Sequence, residues 1–270
     1  MPVPSPSDDK KLLVICEMSV SHDIKAEVSY TGTLSGVKPG KLEVPDTFNF
    51  SIVEGEKDFG VAFRYNARDS FFQIPKSNLS LRVGETYKFR GAGSNPNTSE
   101  PTLVIPDRPN VDSITISELT STVTGGKTIT EMVCSVKYRG LTPDVGYFHL
   151  IPLTEKKETW EVIAFEKDHQ AYKRMNHKKG LLIDGARVKD QTIKLRLRIA
   201  TDVAPEYLYL DLGNATEAYY KYNYFLSNTY TDPNQTSENQ AIAAFNINTP
   251  KAYGTFSAVN FVSFPKKLKD

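Results

Sequence analysis

Four histidines, His22, His149, His169 and His177, are the side chains of this chain best suited to acid–base or metal chemistry. His169 and His177 are not at the i and i+4 positions that two zinc ligands occupy on one helix face. Asp168 beside His169 resembles half of a catalytic triad, but no G-x-S-x-G sequence supplies a nucleophile. The sequence has no Walker loop, no G-x-G-x-x-G and no EF-hand loop. We therefore predict no catalytic residue, no metal ligand and no cofactor.

Paired carboxylates are the one catalytic arrangement that the sequence leaves open. Among 32 Asp and Glu residues some pair always suits glycoside cleavage, because spacing in sequence does not fix separation in space. A hydrolase with an unrecognised acidic site is therefore kept as an alternative, motivated by the abundance of carboxylates and by the chance of a cleft between domains.

The most specific local pattern is a tyrosine-rich segment near residues 215–230. Asn214 is a good N-cap residue and Glu217 has capping-box spacing, so the segment is predicted to be a helix. Tyr220 and Tyr224 lie on a face that a helix in a small domain seldom buries. They are predicted to bind a sugar or a peptide by stacking, or to contact a partner protein. The stripe predicted to pack on a sheet comprises Tyr219, Tyr222, Leu226 and Tyr230.

The charges are balanced, with 33 Lys and Arg against 32 Asp and Glu and a formal net charge of +1. Such a chain has no strong electrostatic attraction to nucleic acid or to an anionic membrane surface, and neither is predicted as a partner. A basic row on two strands is predicted to be the ordinary solvated face of a sheet. Its residues are Lys194, Arg196, Arg198, Lys137 and Arg139.

Alternation of apolar and polar residues with a period of two dominates the chain and predicts short strands. It is clearest at 24–30, 48–52, 193–199 and 208–212. Several such runs with Gly and Pro between them predict a small sandwich over about the first hundred residues. A weaker helical pattern covers 168–178.

Pro106 and Pro109 stiffen one stretch and remove two backbone donors, so one sheet is predicted to end there and another to begin. The fold class is therefore mainly β, with a larger antiparallel domain that carries one aromatic-rich helix. The predicted organisation is a flexible tether at 1–10, an N-terminal β-sandwich at 11–107 and a C-terminal β-rich domain at 108–270.

Cys16 follows an apolar run in an N-terminus that superficially resembles a lipoprotein signal. The run is too short for the apolar core of a signal, and Ile15 stands where the cleavage site needs a small residue. Cys16 and Cys134 are therefore predicted to be strand residues in apolar surroundings. No stretch approaches the roughly 20 apolar residues of a membrane helix.

Four segments in order, VGETYKFRG, IPDRPNVDSITI, GLLIDGARVKDQTIKLRLRI and EAYYKYNYFL, resemble the domain of unknown function 4249 family, exported lipoproteins of the Bacteroidetes. The opening KLLVICEMS and the closing PKAYGTFSAVNFVSF are also similar to that family. The resemblance runs from about Lys11 to Phe264, and it depends on the order and spacing of segments of which none is catalytic.

This resemblance implies an N-terminal sandwich of the immunoglobulin-like or carboxypeptidase-regulatory-like kind, followed by a larger β domain. It also implies a lipid anchor in the outer membrane, on the cell-surface or periplasmic face, attached upstream of Met1 because neither cysteine of this chain suits it. Members are often encoded beside TonB-dependent transporters, and no reaction is established for the family. Bacteroidetes O-glycosylate exported proteins at Asp-Ser/Thr before an aliphatic residue, which Ser113 in Asp112-Ser113-Ile114 matches.

We therefore expect a surface lipoprotein that is not an enzyme and acts as an accessory or ligand-binding component of a TonB-dependent nutrient-uptake system. Its expected partners are that transporter or co-encoded lipoproteins, with a glycan or a peptide as ligand. A structural or adhesive cell-surface β-sandwich protein is the first alternative, and the hydrolase is the second.

Overall fold

A computed structural model describes residues 12–30, 49–62, 64–66, 71–91, 100–139, 146–175, 177–231, 246–248 and 252–268. The predicted tether at 1–10 lies outside these residues. Strands dominate the described part, and the prediction of a mainly β fold is confirmed. Within the same residues, no helix has both the length and the apolar character needed to cross a membrane.

The described residues form eighteen strands and one α-helix, α1 (Glu217–Thr231). The strands are β1 (Leu12–Met18), β2 (Ile24–Tyr30), β3 (Asn49–Glu54), β4 (Lys57–Ala62), β5 (Arg64–Asn66), β6 (Phe71–Ile74), β7 (Thr86–Gly91), β8 (Thr102–Val104), β9 (Val111–Thr124), β10 (Lys127–Tyr138), β11 (Tyr147–Thr154), β12 (Glu161–Phe165), β13 (Tyr172–Arg174), β14 (Leu181–Asp184), β15 (Thr192–Thr201), β16 (Tyr207–Ala215), β17 (Ile247–Asn248) and β18 (Ala252–Lys267).

The chain divides into two compact units. Unit 1 is Met1–Ile105 with Ser237–Val259, and unit 2 is Pro106–Thr236 with Asn260–Asp270. The sequence predicted a division into 11–107 and 108–270. In the structure, the later segment Ser237–Val259 also belongs to unit 1, which the prediction did not include. This return of the chain to unit 1 depends on the parallel pairing of β1 with β18, a contact between distant parts of the sequence that no local pattern indicates.

Unit 1 contains two sheets that share one buried core. One has the order β18-β1-β2-β6-β5, and the other has the order β4-β3-β7-β8. Val14 and Phe72 from the first sheet and Phe89 from the second belong to the same apolar cluster. Gly254 lets β18 approach β1, because a Cβ on it would lie 1.7 Å from the carbonyl oxygen of Val14. The immunoglobulin-like or carboxypeptidase-regulatory-like character of this unit stays a prediction.

Unit 2 also builds one core from two sheets. The order β13-β14-β11-β16 leads to the second part of β18, and the order β12-β15-β10-β9 forms the other sheet. Phe148 and Leu210 from the first sheet meet Leu195 from the second in one cluster, which also buries Trp160. The alternation at 193–199 and 208–212 predicted these strands correctly, since its apolar residues are the buried ones.

Helix α1 confirms the predicted helix, but its N-cap differs. Thr216 is the N-cap residue, and its Oγ1 accepts a hydrogen bond from the backbone N–H of Tyr219 at 3.3 Å. Asn214 lies in β16, where its Nδ2 donates to the carbonyl oxygen of Asp107 at 2.9 Å. The prediction of Asn214 as the N-cap was wrong because the strand continues to Ala215 before the helix begins.

The weaker helical prediction at 168–178 was also wrong. The described residues of this segment form one 3-10 turn, His169–Ala171, followed by β13. Tyr172 of β13 points into the core and stacks on Phe165 with ring centroids 4.8 Å apart. Pairing with β14 and burial of this ring therefore outweigh a weak local helical preference.

Both cysteines lie in strands, as the sequence indicated. Cys16 of β1 and Cys134 of β10 are buried and free. Burial raises the pKa of the Cys134 thiol to about 12 and raises that of Cys16 as well, so both remain protonated and unreactive at neutral pH.

Candidate functional site

The candidate site lies where helix α1 covers one face of the sheet β13-β14-β11-β16. Helix α1 contacts β11, β13 and β14. The strand register places Lys173 beside Leu182, and Leu182 beside His149. Tyr147 precedes His149 by two residues and so lies on the same face. The alternate residues of β11, such as Phe148, point into the apolar core. Strand alternation therefore directs aromatic and polar side chains of the sheet toward α1.

Three tyrosines form a stack on this face, which we call the tyrosine ladder: Tyr147, Tyr220 and Tyr224. Tyr147 and Tyr220 have ring centroids 4.4 Å apart and planes 25° apart. Tyr220 and Tyr224 follow at 5.7 Å and 28°. Tyr224 ends the ladder with 40% of its surface exposed, and the Nζ of Lys173 lies 5.5 Å from its ring centroid. The ladder therefore ends in a partly exposed ring with one cation over it.

Tyr147 and Tyr220 are uncharged at neutral pH. Burial raises the pKa of Tyr147 and of Tyr220, and the carboxylate of Asp184 raises both further. Two ion pairs border the ladder, between Glu217 and Lys221 at 2.8 Å and between Asp184 and Arg187 at 3.0 Å. Neutral phenols stack without mutual repulsion, which suits the ladder to contacts through its ring faces.

A second group, the polar seam, lies between α1 and the sheet: His149, His177, Tyr219, Asn223 and Ser227. The Nε2 of His149 lies 2.8 Å from the carbonyl oxygen of Lys179, and its Nδ1 lies 2.8 Å from the hydroxyl of Tyr219. A carbonyl only accepts, so Nε2–H donates, and in the neutral ring Nδ1 accepts from Tyr219. Both nitrogens of this buried histidine are therefore engaged in structural hydrogen bonds.

The helix side of the seam is polar along its length. Asn223 donates from Nδ2 to the carbonyl oxygen of Tyr219 at 2.9 Å, and Ser227 donates from Oγ to that of Asn223 at 2.7 Å. The Oδ1 of Asn223 lies 2.9 Å from Nε2 of His177. These bonds satisfy polar groups that would otherwise be costly to bury.

The seam corrects the predicted buried stripe. Tyr219 is 1% exposed as predicted, but its buried neighbours are Asn223 and Ser227, whereas Tyr222 and Leu226 are half-buried. The side chain of Tyr230 lies outside the described residues. The prediction followed apolar residues at helical spacing and missed the stripe, because nothing in a lone sequence marks Asn and Ser as buried before their partners are known.

Gly180 makes the histidine part of the seam possible. Its φ is +101°, and a Cβ there would lie 2.3 Å from the carbonyl oxygen of Leu150 and 3.0 Å from Nε2 of His149. Only glycine allows this backbone to pass so close to β11 and bring the carbonyl of Lys179 to the imidazole.

The other histidines are separate from the seam. His22 is exposed, with Nδ1 2.7 Å from Oγ of Ser21. Asp168, the residue before His169, accepts a hydrogen bond from the backbone N–H of Lys189 at 2.9 Å through its carboxylate. Within the described ranges, no three His, Cys, Asp or Glu side chains are grouped as a metal site would require.

On the sheet β12-β15-β10-β9, glutamates form ion pairs with arginines. Arg196 binds Glu118 at 2.7 Å and Glu166 at 3.0 Å, and Arg198 lies 3.5 Å from Glu131. The predicted basic row is therefore interleaved with acids, as expected of a solvated sheet face.

Ser113, the predicted O-glycosylation residue, is exposed in β9. It pairs with Lys137 of β10, and the neighbouring Asp112 accepts a hydrogen bond from Nε of Arg139. The serine is thus accessible, while its preceding aspartate is already engaged. Modification of Ser113 stays a prediction.

A scan against protein-family models finds no match for this chain, and a search of curated proteins finds none either. The site is therefore interpreted from its own residues: a partly exposed ring with a cation over it, at the end of a stack of three tyrosines.

Proposed function

We propose that this chain is a non-catalytic binding protein whose ligand contact is the exposed end of the tyrosine ladder. The proposal rests on the position of Tyr224. Its side chain is exposed, although its ring stacks on that of Tyr220. A large exposed ring on a globular surface is a typical contact for a ligand.

The ladder holds Tyr224 in place before a ligand arrives. Tyr147 belongs to a sheet strand and Tyr220 to a helix, so the stack joins two rigid elements. Tyrosine has few rotatable bonds, and a ring already ordered loses little conformational entropy on binding. Stacking on such a ring contributes about 0.5–1.5 kcal/mol beyond the area it buries. A sugar or a peptide with a flat apolar face fits this chemistry.

The cellular setting that we propose is the bacterial outer membrane. The ordered segments that resemble the domain of unknown function 4249 family support a surface lipoprotein that assists a TonB-dependent transporter in nutrient uptake. The mainly β architecture is compatible with that role. The proposed partners are the transporter or co-encoded lipoproteins, and the proposed attachment to the membrane is a lipid anchor.

The ladder is tested by replacing Tyr224 with Ala and titrating a panel of oligosaccharides and peptides by calorimetry. Tyr209→Ala is a matched control, because Tyr209 of β16 is also a partly exposed tyrosine with a lysine, Lys157, 5.2 Å from its ring centroid. We expect Tyr224→Ala to weaken binding about tenfold, whereas Tyr209→Ala leaves it unchanged. Equal affinities of the wild type and Tyr224→Ala for a demonstrated ligand would contradict the proposal.

The accessory role is tested by capture of the membrane-attached protein from its native membrane. Recovery of a barrel transporter supports the role. Recovery of the protein with only further copies of itself supports the second candidate function, a structural or adhesive surface protein.

One observation favours that second candidate. Strand β9 is an edge strand with no Lys, Arg or Pro, and in the described part of the chain it pairs only with β10. Its residues Ile114, Ile116 and Leu119 pack on the core but stay partly exposed. Such an edge can pair with a strand of another molecule. Light scattering across a wide concentration range tests it, and a strictly monomeric protein would rule it out.

A further inference from the structure

The cation at the end of the ladder indicates what kind of ligand the site binds. We propose that the ladder binds an acidic saccharide, a sugar ring that carries a carboxylate, with the ring stacked on Tyr224 and the carboxylate paired with Lys173. This inference rests on the proposed binding function of the ladder and adds the chemical class of its ligand.

Lys173 is held at the site by the fold. It lies in β13, between the core residue Tyr172 and the exposed Arg174, and its partner across the sheet is Leu182. Alternation along β13 therefore directs Lys173 to the α1 side of the sheet. Its Nζ lies 5.5 Å from the ring centroid of Tyr224, within the range of a cation–π contact.

Among the described residues, Lys173 differs from the neighbouring cations because no carboxylate forms an ion pair with it. Lys221 is paired with Glu217, and Arg187 with Asp184. Within the described ranges Lys173 forms no ion pair, and the Tyr224 ring is the contact of its ammonium group. An anion that reaches this cation can form a charge-assisted hydrogen bond, which is roughly twice as strong as a neutral one.

An acidic saccharide meets both requirements at once. In a uronate the carboxylate is attached directly to the pyranose ring, so a sugar ring that packs on Tyr224 keeps its charge close to the ammonium group of Lys173. An aspartate or glutamate of a peptide brings the charge on a flexible aliphatic chain and no ring. A neutral sugar brings the ring without the charge, and leaves the ammonium group unpaired.

The test compares a trigalacturonate with its methyl ester, which has the same rings but no charge. We expect the acid to bind the wild type at least about tenfold more tightly than the ester, as one charge-assisted hydrogen bond provides. Lys173→Gln should remove this preference. Lys157→Gln is the matched control, since Lys157 has the same relation to Tyr209, and it should keep the preference.

The outcomes separate the two proposals. If Tyr224→Ala weakens binding of both saccharides while Lys173→Gln changes neither, the ladder binds sugars but the acidic class is wrong. Equal binding of acid and ester by the wild type, or no binding of the acid, also overturns the acidic class. If Tyr224→Ala changes no affinity in this series or in the wider panel, the binding function of the ladder fails as well.

Discussion

The two sheets of unit 2 share one core but have different outer faces. Arginines with paired glutamates line the outer face of β12-β15-β10-β9, which is open to solvent around Arg196. The corresponding face of β13-β14-β11-β16 carries Tyr147 and His149, and α1 covers it. Both faces come from strands with a period of two, so periodicity alone does not distinguish them. The outward residue types do, because a solvated face suits charges, whereas aromatic rings and histidine need a cover.

If the face covered by α1 depends on close packing, Gly180→Ala should cause the largest loss of stability among the variants that we propose. The methyl group would meet the carbonyl of Leu150, and the φ of +101° strains any other residue. We expect a loss of about 3 kcal/mol in the free energy of unfolding. Urea denaturation measures this free energy. It is followed by the fluorescence of Trp160, which is the only tryptophan and lies in the core of unit 2.

Gly126→Ala is the control for Gly180→Ala. Gly126 has a φ of +77°, but no atom lies within 4 Å of the position of its Cβ. Its substitution should cost about 1 kcal/mol, which is the conformational cost alone. Equal losses for the two variants would show that the close approach to β11 contributes nothing.

The next largest loss of stability is expected from His149→Leu. The leucine fills similar space but leaves the hydroxyl of Tyr219 and the carbonyl of Lys179 without the imidazole. Losing such partners in a buried place costs about 1–3 kcal/mol. The double variant with Tyr219→Phe removes one of the two groups that lose their bond to the imidazole, so it should recover part of the lost stability. A wild-type midpoint for His149→Leu would mean that the seam is not structural.

The comparison of the two faces also shows what the sequence reveals. Strands such as β15 and β16 were predictable because their successive residues point alternately into the core and away from it. Helix α1 was predictable as a helix, but its buried stripe was not, because Asn223 and Ser227 become good interior residues only when His177 and the helix backbone supply hydrogen bonds. The return of β18 to β1 is a long-range pairing and leaves no local trace.

The candidate site was predicted in part. Tyr220 and Tyr224 share a helix face by their spacing, which the sequence displays directly. Tyr147 and Lys173 belong to distant strands, and only the register of the sheet brings them to the helix. Their spacing in sequence carries no information about this arrangement.

A third prediction concerns alkaline pH. Burial raises the pKa of Tyr220, and it raises the pKa of Tyr172 in the core to about 12. In the unfolded chain these phenols ionise near their ordinary value of about 10. Because the folded state then holds its protons more tightly, stability is unaffected below that pH and falls as pH rises toward the folded pKa values. Phenolate absorbance and unfolding should therefore rise together above about pH 10.

Tyr172→Phe makes this prediction specific. The variant lacks one phenol with a raised pKa, so its stability should fall less steeply between about pH 10 and pH 12 than that of the wild type. A matched fall in both proteins would mean that Tyr172 ionises equally in the folded and unfolded states.

The smallest effect is expected on the open face, from Arg196→Gln. The variant removes the guanidinium that binds Glu118 and Glu166, but all three groups keep access to water. Exposed ion pairs gain little because water solvates the separated charges nearly as well. We expect an unfolding midpoint close to that of the wild type and much closer than that of His149→Leu. A loss as large as that of His149→Leu would show that the open face stabilises unit 2 as much as the covered face, and that outward charges do not identify a dispensable surface.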